Sequence, residues 1–305
     1  KIELMPNDKM RVLPIGYNAA GQKIALPATF SSNVKNGVYT APGSYGTDKI
    51  SITMGGYTQD LNVNIAKPTK RKEFVVTKNG FLKTQNGYVA NEKGEKLSLA
   101  GISYFWMNEE PVGHFWCKET VDYLVDNYNM QVFRLPITIS PCGSNGQSHC
   151  TPQNDVWGYV EGDSRANYRY NPEWTKEIAD RVIKACIEND VYVIIDFHEH
   201  TAEDWVDLAK DFFTYFATKW GEFPNVMYEI YNEPICDNNT VVNYAKKVIP
   251  TIRNIDKNNV IIVGSSDFSR HPDQVTGAGE GYSNIAYTWH GYVQYSHQSD
   301  WSQHN

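Results

Sequence analysis

Apolar and polar positions follow two different rhythms along this chain, and the change comes near residue 67. Before it, short alternating stretches are broken by closely spaced turn signals: Asn18-Ala-Ala-Gly21, Lys35-Asn36-Gly37, Ala41-Pro42-Gly43 and Gly55-Gly56. Alternation bounded by such residues marks half-buried strands. Strands are therefore expected over Met10–Tyr17, Val38–Thr40, Lys49–Met54 and Gln59–Ile65. Residues 1–67 read as a small β-sandwich. Residues 68–73, all but Glu73 in the basic, proline-containing stretch Ala66-Lys-Pro-Thr-Lys-Arg-Lys72, read as a linker.

From residue 74 the rhythm alternates between strand and helix. A hairpin pattern comes first, with strand expected over Phe74–Thr77 and turns at Asn79-Gly80 and Asn86-Gly87. Apolar strands are then expected over Leu97–Ile102, Val132–Ile137, Val191–Phe197, Val226–Tyr231, Val260–Gly264 and Ile285–Trp289. Helical spacing covers Glu119–Tyr128, Glu173–Asn189, Glu203–Trp220 and Val241–Asp256 between them. Continuous apolar strands separated by helices imply an α/β fold with a parallel sheet covered on its outer face. The expectation for residues 74–305 is a (β/α)8 TIM barrel, of which this chain supplies six of the eight strands.

Composition narrows the partners. The net charge of −7 argues against nucleic acid, which needs a basic face. Nor is any apolar run long enough to span a bilayer. The opening Lys1-Ile2-Glu3-Leu4 lacks the pattern of a signal peptide. Twenty tyrosines and eight tryptophans supply flat apolar faces with a polar handle, most of them for core and some for stacking on a sugar. In the first 67 residues only Tyr17, Tyr39, Tyr45 and Tyr57 are available for such a platform, so a packing or spacer role is favoured there. Cys142 and Cys150 bracket a polar, glycine-rich loop. A disulfide closing it is the preferred reading, and it implies an oxidising compartment and a secreted or cell-surface protein. A metal site using His149 is the alternative, without Cys-x-x-Cys spacing to support it. Cys117, Cys186 and Cys236 read as free or buried.

Candidate chemistry gathers at the C-terminal ends of the strands, where a barrel of this kind builds its site. Asn232-Glu233-Pro234 follows the apolar run Val226–Tyr231 and delivers a carboxylate to the mouth of a buried strand. Other strands offer Arg134, then Asp196 and His198 with Glu199 and His200 beyond, then Ser265 and Ser266, then His290 and Tyr292. One such residue could merely satisfy backbone groups. Residues from several strand ends suit acid/base work on a neutral, hydroxyl-rich substrate. Burial would raise the pKa of Glu233 toward proton donation, and a nearby cation would lower it.

The phrases Gln131-Val-Phe-Arg-Leu-Pro136, Val191-Tyr-Val-Ile-Ile-Asp-Phe-His198, Asn225-Val-Met-Tyr-Glu-Ile-Tyr-Asn-Glu-Pro234, Asn259-Val-Ile-Ile-Val-Gly264 and Ala286-Tyr-Thr-Trp-His-Gly-Tyr292 occur in order at strand positions. Through them, residues 74 to the end resemble glycoside hydrolase family 5, particularly its bacterial endoglucanase branch. The resemblance implies a retaining, endo-acting hydrolase of β-1,4-glucan that uses no cofactor and no metal. It implies Glu233 as acid/base, Asn232 on the sugar 2-hydroxyl, and His290 and Tyr292 near the acid and nucleophile. It also implies Arg134 beneath the nucleophile and His198 as the histidine of the third-strand motif. A long loop after the second strand, Ser140 to about Asn171, carries Trp157, Tyr159, Tyr168 and Tyr170 and reads as a cleft wall. Trp106 is a further stacking candidate, in a segment that lacks the histidine often found there in the family. Gly37-Val-Tyr-Thr-Ala-Pro-Gly43 with Asp48-Lys-Ile-Ser-Ile-Thr-Met-Gly-Gly56 resembles bacterial immunoglobulin-like modules.

In the resembled family the nucleophile is a glutamate on the seventh strand, and in this sequence no glutamate follows Glu280. The expectation is that the rest of the barrel, with that glutamate, belongs to a second polypeptide or a continuation. Two competing readings remain: a metal-dependent barrel hydrolase using His198, His200 and His290, and an inactive carbohydrate-binding fragment of a glycosidase.

Overall fold

The structure is a computed structural model that describes residues 2–20, 23–24, 26–66, 74–107, 115–139 and 167–292. The chain forms two compact units, Lys1–Lys78 with Tyr123–Asn129 and Asn79–Asp122 with Met130–Asn305.

The first unit is built of strands β1 (Ile2–Leu4), β2 (Lys9–Arg11), β3 (Gly16–Tyr17), β4 (Lys23–Ile24), β5 (Ala28–Phe30), β6 (Val34–Lys35), β7 (Val38–Thr40), β8 (Gly46–Met54) and β9 (Tyr57–Ile65). One sheet runs β1-β9-β8-β5, a second β2-β7-β6, and β3 pairs with β4. Leu4, Val12, Val34, Tyr39, Ala41, Ile50, Val63 and Ile65 form a single buried cluster drawn from both larger sheets. The β8–β9 hairpin turns through Gly55 and Gly56, whose φ values of 57° and 82° are a conformation that glycine adopts without steric penalty. The four-tyrosine platform does not form. Tyr39 is fully buried and donates to Asp48 Oδ2 at 2.8 Å, while the exposed Tyr45 and Tyr57 flank opposite ends of the β8–β9 ladder.

Helix α1 (Val75–Asn79) stands where strand was expected over Phe74–Thr77. So short an apolar run has no period of its own. Val75 and Val76 are both buried, and Gly80, at φ 67°, ends the turn in the left-handed conformation typical after a helix. The next hairpin, β10 (Lys83–Gln85) and β11 (Tyr88–Ala90), turns at Asn86-Gly87 as expected, with both residues at positive φ.

The second unit is organised by six strands: β12 (Gly101–Ser103), β13 (Val132–Thr138), β14 (Tyr192–His198), β15 (Val226–Glu229), β16 (Ile261–Val263) and β17 (Ile285–Tyr287). They pair in sequence order, all parallel. Helices α2 (Lys118–Tyr128), α3 (Pro172–Glu188), α4 (Val206–Trp220) and α5 (Asn238–Ile255) lie between successive strands in sequence. Asn171 and Asp237 cap α3 and α5 by accepting from the first free backbone N–H groups. One face of the sheet packs on helices. Phe197 meets Phe212 and Phe213 of α4, and the Tyr228 hydroxyl donates to Asp256 at the end of α5. Period-two alternation then directs Arg134, Asp196, His198 and Glu229 to the other face. The four inner strands are nearly all buried, whereas β12 is exposed and β17 only half-buried. A closed barrel of this class has eight strands; the described residues supply a parallel sheet of six, with β12 and β17 at its ends.

Candidate active site

Register sets the site. Pro136, Asp196, Glu229 and Ile262 lie in one row across β13, β14, β15 and β16. Arg134 sits one pleat below this row and reaches up into it. Its Nε donates to Glu229 Oε2 at 2.6 Å, and its Nη2 lies 2.9 Å from Asp196 Oδ2 and 2.7 Å from Asn232 Oδ1. One guanidinium thus gathers side chains from two strands and the loop after β15. A planar fork with several donors is suited to that geometry.

Beyond β15 the chain leaves the sheet, and Asn232-Glu233-Pro234 is held by its neighbours. Ser269 Oγ donates to Asn232 O and Phe268 N to Pro234 O. Gly264 lets this segment approach, since a Cβ there would lie 2.5 Å from Tyr231 O. The same turn places Asp267, Phe268 and Ser269 at φ 52°, 58° and 62°. Three consecutive non-glycine residues in the left-handed region are a local strain of about 1–2 kcal/mol each. Ser269 O also accepts from His290 N, so this turn positions both the Glu233 loop and the His290 segment.

Glu233 is the meeting point. Oε1 lies 2.9 Å from His290 Nδ1 and 3.1 Å from the Tyr292 hydroxyl, and Oε2 lies 3.3 Å from His200 Nε2. His290 Nε2 faces Glu229 Oε1 at 3.4 Å. Burial acts to raise the pKa of Glu233, but hydrogen bonds from His200 and His290 outweigh it, and the carboxyl is held well below its usual range. Hydrogen bonding from the two imidazoles, rather than burial, sets the direction of the shift. His290 moves the opposite way, to about 9: burial opposes the charge, and Glu229 and Glu233 more than restore it. Glu229 is buried too, yet Arg134 and His290 hold it ionised. Asp196 is pushed well up, by burial first and by the Glu229 carboxylate, against the pull of Arg134. Two carboxylates sharing one guanidinium separate in this way.

His198 sits one pleat above the Asp196 row, at the end of β14, with Nδ1 2.6 Å from Asp196 Oδ2; burial first, then Arg134, pushes its pKa well down, so it is a neutral ring. Trp106 packs edge-on against it, with ring centroids 5.0 Å apart, and carries Phe105 stacked on its outer side. His198, His200 and His290 each address a different carboxylate arrangement, and among the described residues no three His, Cys, Asp or Glu side chains form a metal-binding group. Arg134, Asn232, Glu233, His290 and Tyr292 thus converge in one hydrogen-bonded cluster, with His198 and Trp106 beside it. Trp157, Tyr159, Cys142 and Cys150 lie outside the described residues. The Ser265 hydroxyl accepts from His271 N, and its own N–H donates to Ser269 Oγ.

One participant, Glu229, was not among the candidates read from the strand ends, and His200, named there only as lying beyond the third strand, proves to touch Glu233. The strand was expected to run to Tyr231, which put Glu229 in its interior, whereas β15 ends at Glu229. The signal for Glu229 was parity: it is the charged residue of an otherwise apolar strand, on the face opposite Tyr228.

The cellulase family profile (glycosyl hydrolase family 5) matches residues 90–305. Endoglucanase Z of Dickeya dadantii is 36% identical over 211 residues, covering 68% of this chain and 44% of that protein. An endoglucanase of Clostridium saccharobutylicum is 38% identical over 220 residues, covering 70% and 43%. The chain spans about half the length of the curated relatives it matches. A solved structure from Cytophaga hutchinsonii is similar at 29% identity and TM-score 0.63, over 76% of this chain and 68% of that one. The catalytic domain of a Thermobifida fusca endoglucanase shares the fold at 24% identity and TM-score 0.61, over 75% and 70%. A profile match across two thirds of the residues, together with these relatives, places the chain in glycosyl hydrolase family 5, the cellulase family.

Proposed function

We propose that the protein is an endo-acting β-1,4-glucanase that retains anomeric configuration, with Glu233 as its acid/base. The observation that carries this is the setting of Glu233: one carboxylate at a strand mouth, addressed by His200, His290 and Tyr292. As acid it would take back the proton that His290 Nδ1 holds at 2.9 Å and pass it to the leaving glycosidic oxygen; as base it would then take a proton from the attacking water. Asn232, fixed by Arg134, would hold the sugar hydroxyl beside the scissile bond. Trp106 offers an aromatic face to a sugar ring. A polymeric glucan has to be met outside the bacterial cell, which supports a secreted or cell-surface enzyme. Among the described residues no helix is long and apolar enough to cross a membrane.

A retaining reaction needs a second carboxylate about 5–5.5 Å from the first. Asp196 and Glu229 are already committed to Arg134 in a buried cluster, which argues against either as attacker. We assign the nucleophile, and the two strands that would flank β12 and β17, to sequence outside this chain, a continuation or a second polypeptide. The exposed β12 and half-buried β17 support this. Residues 1–67 are read as an immunoglobulin-like module, joined by 68–73 to a hydrolase domain over 74–305.

The decisive experiment is Glu233→Gln in the complete enzyme, assayed on soluble β-1,4-glucan. Turnover is expected to fall by ~10²–10⁴-fold, since that is what proton transfer typically contributes. Binding and thermal unfolding should stay near those of the unaltered protein. An aryl glycoside with an acidic leaving group should lose less in the first step, and azide should rescue the second. Near-normal hydrolysis of the polysaccharide by this variant refutes the assignment.

A further inference from the structure

The imidazole of His290 lies between two carboxylates. Its Nδ1 faces Glu233 at 2.9 Å and its Nε2 faces Glu229 at 3.4 Å. Glu229 cannot be a second acid or base toward a substrate. It is 2% exposed, and its other oxygen is held by Arg134 at 2.6 Å. Its remaining oxygen nevertheless points at the ring that touches the proposed acid/base. We infer that Glu229 is a positioning residue, acting through His290 to set where the proton of Glu233 resides; this rests on Glu233 being the acid/base.

The proton balance is simple. With Glu233 ionised, His290 carries protons on both nitrogens and donates one to each glutamate. With Glu233 protonated, its O–H donates to Nδ1, and Nε2–H still donates to Glu229. A single proton shifts along the Oε1–Nδ1 contact while the Nε2 proton stays in place. Glu229 therefore excludes the other tautomer, in which Nδ1–H and Glu233 O–H would confront each other. The other groups facing the ring are Arg134 from β13 and Asp196 from β14, both within electrostatic reach, and Tyr292 on its own segment, which shares Glu233 Oε1. Arg134 opposes the imidazolium, and the two glutamates favour it. A lone positive ring beside a guanidinium would be disfavoured without the fixed charge of Glu229.

The test reads His290 directly. In the ¹⁵N-labelled chain, both ring nitrogens are expected to be protonated at neutral pH. A neutral ring there, or one protonated only on Nδ1, overturns the inference without any variant being needed. In Glu229→Gln, which keeps the shape and removes the charge, the His290 titration should fall by about one pH unit or more. In the complete enzyme this variant should lower kcat by on the order of tenfold or more with KM little changed, and should move the alkaline limb of the kcat profile to lower pH. Glu229→Asp, which restores the charge, should recover part of both effects. A wild-type titration and pH profile in Glu229→Gln, alongside an inactive Glu233→Gln, refutes the inference and leaves the acid/base reading intact. An active Glu233→Gln refutes that reading, and with it any catalytic purpose for Glu229.

Discussion

Arg134, Glu229, Glu233 and His290 show that at the scale of single residues a charge gets its meaning from its neighbours. Glu233 and Glu229 are both glutamates four positions apart, and both are buried and ionised. One is locked to a guanidinium, and the other is held by groups that can exchange protons. Stability should therefore depend on pH through His290. Its pKa is raised from 6.5 to about 9, so its contribution is fully present below 6.5 and is lost as pH rises through about 9. A change of this size corresponds to on the order of 3 kcal/mol. Glu233 has the opposite sign: its depressed pKa contributes above the ordinary 4.5 and is lost as pH falls through its folded value. Thermal unfolding followed from pH 6 to 10 is expected to show a falling midpoint across the His290 window, and His290→Gln should flatten that fall. An equally steep fall in the variant would assign the dependence to another group.

Elements matter through how closely they approach. The loop that carries Glu233 is pressed against the end of β16, and Gly264 is the residue that permits it. A Cβ at this position would stand 2.5 Å from Tyr231 O, 2.8 Å from Ser269 Oγ and 3.0 Å from Pro234 Cδ. The first of these is backbone and cannot rotate away. Gly264→Ala is expected to destabilise by roughly 1–3 kcal/mol, as overpacking does. It should also reduce activity, because relief requires moving the Glu233 loop or the strained turn at 267–269. Chemical denaturation measures the first effect and turnover the second. Unchanged values in both would mean that the approach of loop and strand is looser than the structure has it. This glycine is legible in Asn259-Val-Ile-Ile-Val-Gly264 as a strand ending, but its reason for being glycine lies in another segment of the chain.

For the second unit as a whole, the sheet's two ends are the telling feature. Inner strands β13 to β16 have both neighbours and lie buried, while Ile102 of β12 remains 37% exposed and every residue of β17 is half-buried. Parallel strands are ordinarily covered on both faces and paired on both edges. In this chain alone, amide exchange should be faster in Gly101–Ser103 and Ile285–Tyr287 than in Tyr192–His198. In a longer polypeptide with two further strands, the first two segments should become as protected as the third. Exchange rates that do not change on lengthening the polypeptide would refute the proposal that two strands come from elsewhere.

Periodicity alone carried the order and type of the main elements from residue 97 onward, because an apolar strand and an amphipathic helix of ten or more residues each repeat their pattern several times. It failed at Phe74–Thr77, where four residues are too few for a period and a helical turn forms instead. The candidate site was partly legible. Asn232, Glu233, His290 and Tyr292 were legible because residues that follow parallel strands gather at one end of the sheet, while Arg134, expected at a strand end, lies inside β13 and joins them through the length of its side chain. Three things were decided only by tertiary structure. The partnership of Glu229 with His290 depends on register between β15 and the distant segment after β17. Tyr39 became core because its hydroxyl found Asp48 across the sheets. The direction of the Glu233 shift was open between burial and a nearby charge, and it follows from two imidazoles that reach it from separate segments. Local sequence determines which face a residue occupies; only the packing of segments far apart in the chain determines which charge stands opposite it.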